Sequence, residues 1–105
     1  MILQDDKLIK IKTVILTFFP DCKIILFGSR AKGNYDEKSD YDLVIIVPVN
    51  YEIKAKLDLQ SSLRQALAKR NIPADILIQS ELEFEEHKNL NGHIIKEVAK
   101  EGILL

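Results

Sequence analysis

The chain has 105 residues, 47% of them hydrophobic and 30% charged, the proportions of an ordinary folded domain with a single core. Fifteen Lys and Arg against sixteen Asp and Glu leave a net charge of −1, which excludes a general pull toward nucleic acid or anionic membrane. A lone Cys22 excludes an internal disulfide, MILQDDKLIK carries acids where a signal peptide needs a basic and then apolar stretch, and no apolar run nears the roughly 20 residues that cross a bilayer; a cytoplasmic protein is expected.

In chain order, residues 4–19 predict a helix, because Leu8, Ile11, Ile15 and Phe18 recur at intervals of three and four, and Pro20-Asp21 ends it. CKIILF (22–27) reads as a buried strand bounded by Pro and Gly. Residues 29–32 predict one helical turn stopped by Gly33, and YDLVIIV (41–47) a second buried strand closed by Pro48. Residues 52–70 predict an amphipathic helix with Ala55, Leu59, Ser62, Leu63 and Ala66 on one face. ADILIQ (74–79) is a third strand, Ser80 with Glu83 a capping box opening another helix, and Ile94, Ile95, Val98 and Ala99 a last helix stopped at Gly102. With no repeat and no linker, residues 1–105 are expected to form one domain of α/β (α+β) class, a small mixed β-sheet covered by helices.

Two stretches carry chemistry. At Gly28-Ser29 a strand gives way to a short helix. Glycine admits close approach to the backbone, and serine can cap the helix or offer its hydroxyl, so the turn can cradle phosphate. Taken alone, such a turn is ordinary turn chemistry. Asp40 and Asp42 stand at i and i+2, so on an extended chain both project to one face. Two carboxylates about 5 Å apart at an effective dielectric of about 20 repel by roughly 3 kcal/mol. A pair kept together at the mouth of a buried strand suits a divalent cation such as Mg²⁺. Asp75 opens the third strand, and the DILI after it parallels the DLVII after Asp42. If those strands are neighbours, three carboxylates can hold one or two metals for phosphoryl or nucleotidyl transfer. Alone, each acid reads as a turn or strand-entry residue; together the signals serve one geometry.

LFGSRAKG, SDYDLVI and ADIL resemble the nucleotidyltransferase fold of the DNA polymerase β superfamily, and nearly the whole chain is similar to its minimal, stand-alone domains. The resemblance implies that Gly28 and Ser29 contact a nucleoside triphosphate. It implies that Asp40 and Asp42 bind metal, and that Asp75 is a third ligand that helps deprotonate the acceptor. Arg30 matches the basic residue after Gly-Ser, as a phosphate contact or as a salt bridge holding the loop. Ser39 is expected to cap the turn, and Lys32 stands where the family often has Arg. Similar minimal domains pair with a helical HEPN-type ribonuclease toxin as antitoxins, transferring AMP from ATP to a partner tyrosine. The implied assembly is a hetero-oligomer, with Mg²⁺ as cofactor. A non-catalytic antitoxin acting by occlusion and an aminoglycoside-type transferase remain the alternatives. His87, His93 and the acidic ELEFEEHK segment are expected on the solvated surface, and Tyr35 and Tyr41 either meet the nucleotide or pack.

Overall fold

A computed structural model describes residues 6–105. Residues 4 and 5 of the expected first helix lie outside the described residues. The helix α1 (Asp6–Phe18) buries Leu8, Ile11, Val14 and Ile15 along one stripe. Phe19, not Phe18, continues that stripe: its amide bonds the Ile15 carbonyl at 2.8 Å and its ring is buried, whereas Phe18 is 39% exposed. The difference is one step of 100° around the helix, which short-range periodicity resolves poorly.

The strands β1 (Lys23–Phe27) and β2 (Tyr41–Val47) pair antiparallel, and β3 (Ala74–Ser80) joins β2 in parallel. A short fourth strand, β4 (Ile103–Leu104), lies antiparallel to β1, giving the mixed order β3-β2-β1-β4. That strand comes from the ILL tail, which sequence periodicity left unassigned because two residues carry no alternation. The β2-to-β3 connection is the helix α3 (Ile53–Ala68), as a parallel pair requires.

Strand alternation sends the two faces of the sheet to different partners. Ile24 and Leu26 of β1, Tyr41, Leu43, Ile45 and Val47 of β2, and Ile76 and Ile78 of β3 join α1 and α3 in the larger core. Val44 and Ile46 face the other way, against Ile95 and Val98 of the helix α5 (Ile94–Glu101), with Phe84 of α4 (Glu81–His87) packed alongside. At roughly 25 cal/mol per Å² of apolar surface, burial on both faces makes β2 the strand that the fold can least do without.

The buried face of α3 is rotated from the expected one. Leu59, Leu63 and Ala66 do turn inward, but Gln60 and Leu67 are buried while Ala55 and Ser62 are exposed. Gln60 is drawn in by the edge strand: its Oε1 accepts the Ile78 amide at 3.0 Å, an edge donor with no neighbouring strand to take it. Ser80 and Glu83 form the expected capping box, Ser80 Oγ accepting from the Glu83 amide (3.0 Å) and Glu83 Oε1 from the Ser80 amide (2.9 Å). Among the described residues, no helix is long and apolar enough to cross a membrane.

Candidate active site

The candidate residues meet where β1 ends and where β2 and β3 begin. Parallel pairing sets Asp42 directly opposite Asp75, with Tyr41 opposite Ala74. Register partners on adjacent strands project to the same face about 4.8 Å apart, so the two carboxylates are neighbours. Asp40 precedes β2 by one residue and shares the parity of Asp42. Three acids are thereby brought to one end of the sheet, on the face that carries α4 and α5. Asp40 and Asp75 are exposed, while Asp42 is half-buried. Burial raises the Asp42 carboxyl above the usual carboxylate range, and the charges of Asp75 and then Asp40 raise it further. The site holds negative charge against its own repulsion.

The glycine turn closes the site from the β1 side. Phe27 is the register partner of Asp42, so the residue after it arrives beside the Asp42 side chain. Gly28 has φ +71°, and a Cβ built there would overlap Asp42 Oδ2. Glycine is therefore required twice, by backbone conformation and by the carboxylate. The short helix α2 (Gly28–Lys32) starts at Gly28 itself, with Phe27 as N-cap and no side-chain cap bond. Ser29 thus does not cap the helix, as the sequence suggested; it lies in the first turn. Gly33, at φ +83°, ends the helix by donating its amide to the Ser29 carbonyl.

Residues 33–40 return the chain to the same mouth. Asp36 organises this loop: its Oδ1 accepts the Lys38 amide at 2.8 Å, and its own amide donates to Ser39 Oγ at 3.1 Å. Ser39 caps the turn, as expected. Arg30 holds the loop through backbone carbonyls rather than a salt bridge, its guanidinium reaching the Ser39 and Glu37 oxygens and lying over the rings of Tyr35 and Tyr41. No local sequence signal marks this arrangement, since it joins a helix, a loop and a strand. Lys32 pairs instead with Glu101 at 3.2 Å across an exposed gap.

The donor set fits a divalent cation: three hard carboxylates, one of them crowded by the other two, facing a backbone cleared of any Cβ. Among the described residues, no three His, Cys, Asp or Glu side chains are grouped closely enough to hold a metal by themselves, so a cation here would need further ligands from a substrate. An open arrangement leaves ligand positions for substrate oxygens. The histidines lie apart from it. Both are half-buried rather than at the surface, their rings stacked 4.1 Å apart and 11° from parallel, and His93 Nδ1 accepts the Ile95 amide to cap α5. A hollow of about 670 Å³ between α4 and α5, reaching Ile25 and Ile46, contains none of the candidate residues.

The fold is that of the nucleotidyltransferases. Residues 8–105 match the nucleotidyltransferase domain, and the chain belongs to that family. It is 36% identical over 83 residues to a proposed protein adenylyltransferase of Methanocaldococcus jannaschii, a match spanning 79% of this chain and 76% of that relative. Two solved structures share its fold at a TM-score of 0.59: a toxin-antitoxin with AMP-PNP, at 21% identity over 97% of this chain and 72% of that one, and a mutant of the toxin-antitoxin MntA-HpeT, at 22% identity over 99% and 72%.

Proposed function

We propose that residues 1–105, acting as one minimal domain, transfer AMP from ATP to a tyrosine hydroxyl of a HEPN-type ribonuclease toxin and so serve as its antitoxin. The observation that carries the reading is the juxtaposition of Asp42 and Asp75 in parallel register, with Gly28 pressed against the Asp42 carboxylate. The kinship with a proposed protein adenylyltransferase supports transfer to protein, and the toxin-antitoxin neighbours support the partner. The lone half-buried Cys22 thiol accords with a cytoplasmic setting.

In this reading Gly28 and Ser29 receive the triphosphate, since the bare backbone at Gly28 admits phosphate oxygens that a side chain would block. Asp75 is exposed on the outer strand, where an acceptor hydroxyl can reach it. Its carboxylate takes the hydroxyl proton as the oxygen bonds to the α-phosphorus. The bond from that phosphorus to the bridging oxygen breaks, and pyrophosphate leaves. Asp40, Asp42 and Asp75 would hold one or two Mg²⁺, which when bound neutralises the triphosphate and polarises the entering and leaving oxygens. Asp42, already crowded by two like charges, is the acid whose ionised form gains most from a cation.

The test is incubation with α-labelled ATP, Mg²⁺ and a helical HEPN-type ribonuclease toxin. Label should appear on a partner tyrosine and vanish with Asp40→Ala/Asp42→Ala. Unlabelled partner, or equal labelling by the double variant, overturns the reading. Full neutralisation of the toxin by that variant would move the biological effect from catalysis to occlusion.

A further inference from the structure

Arg30 is 9% exposed, and its guanidinium meets two backbone carbonyls and two aromatic rings. Nε and Nη2 both donate to the Ser39 carbonyl, at 3.2 and 2.9 Å, and Nη2 also reaches the Glu37 carbonyl at 3.3 Å. Its Cζ lies over the Tyr35 ring at 4.4 Å from the ring centre and over the Tyr41 ring at 4.2 Å. The Ser39 carbonyl belongs to the peptide bond that carries Asp40. Tyr41, between the two candidate ligands in sequence, is 1% exposed and points to the opposite face of the sheet, where it is packed into the larger core. A planar fork over two aromatic rings and bonded to two carbonyls keeps little freedom.

We infer that Arg30, Tyr35 and Tyr41 form a latch that sets the spacing between the glycine turn and the carboxylates. Arg30 lies two residues from Gly28, and its far end grips the peptide before Asp40, so one side chain spans both halves of the site. It is a positioning residue: its Nε and Nη2 donors bond the loop, and its effect on a substrate passes through the placement of Asp40 and Asp42. Lysine cannot replace it, because an ammonium lacks the flat fork that bonds one carbonyl twice while lying over two rings.

The kinetic arm of the test rests on the transferase reading; the structural arm does not. Arg30→Lys, and Tyr35→Leu as a variant at a half-exposed position that the fold tolerates, are compared with the parent chain. Amide exchange at Lys38, Ser39 and Asp40 should quicken at least tenfold in both while the β2 amides from Leu43 to Ile46 keep their protection. Mn²⁺ binding to the nucleotide-free protein should weaken about tenfold. With transfer activity, kcat should fall ten- to a hundredfold, KM for ATP should change less than threefold, and added metal should restore part of the rate. Unchanged loop exchange with unchanged Mn²⁺ binding refutes the latch. A rise in KM for ATP over a rigid loop would show that Arg30 contacts phosphate instead. Should the parent chain transfer nothing to any partner, the transferase reading fails alone, and the exchange and Mn²⁺ results still decide the latch.

Discussion

Gly28→Ala is expected to disable the site while leaving the fold standing, and Gly33→Ala is its control. Both glycines have positive φ, +71° and +83°. Alanine in that region costs about 1–2 kcal/mol at either position. Only at Gly28 does the new methyl collide with a side chain, since nothing lies within 4 Å of a Cβ at Gly33. Relief at Gly28 requires the Asp42 carboxylate to turn, and an off-rotamer side chain costs about 0.5–1.5 kcal/mol more. The sum, about 1.5–3.5 kcal/mol, is below the roughly 5–15 kcal/mol typical of domain stability, so both variants should fold. Urea unfolding should place Gly28→Ala only about 1 kcal/mol below Gly33→Ala. Activity should separate them far more widely, because misplacing a reacting group by about 1 Å can cost on the order of a hundredfold. AMP transfer should fall at least that far in Gly28→Ala and no more than about threefold in Gly33→Ala. Equal activity in the two variants would falsify the claim that the glycine exists for the carboxylate.

Asp42→Asn should abolish transfer yet slightly stabilise the metal-free protein at neutral pH. The folded carboxyl is raised by burial, Asp75 and Asp40, so the native state holds its proton more tightly than the unfolded chain. The favourable contribution is therefore complete below the unfolded value near pH 4 and is lost as pH rises through the raised one. Urea titrations from pH 4 to 7 should show this slope in the parent and not in the variant, with less than about 1 kcal/mol gained after solvent screening. Glu83 has the opposite sign: burial pushes it up, but the Lys56 hydrogen bond, the Ser80 amide and the Lys56 charge outweigh burial and hold it below the usual range. Glu83→Ala should cost about 1–2 kcal/mol at pH 7 through the lost cap and ion pair, and the deficit should shrink as pH falls through the carboxylate range. Gln60→Leu removes the acceptor from the Ile78 amide, so a loss of about 1–3 kcal/mol is expected, with faster exchange of that one amide.

The sequence by itself determined most of the elements and marked the acids and the glycine turn. Runs of β-branched residues cut by Pro and Gly leave few alternatives to buried strands, and the i, i+2 spacing of Asp40 and Asp42 commits both to one face once the chain is extended. The capping box at Ser80 was readable for the same reason, since its two bonds join residues three apart. Tertiary structure decided what depends on neighbours distant in the chain. Asp75 sits 33 positions after Asp42, and only parallel pairing in this register brings the two together. The requirement for glycine at position 28 became specific when Asp42 was found filling the space of its absent Cβ. The face of α3 turned because an edge amide needed Gln60, and two residues of tail became β4 because β1 had an open edge. Arg30 changed most. Its place after Gly-Ser allowed a phosphate contact or a salt bridge holding the loop; the fold holds the loop through backbone carbonyls, beside two aromatic rings, in place of the salt bridge.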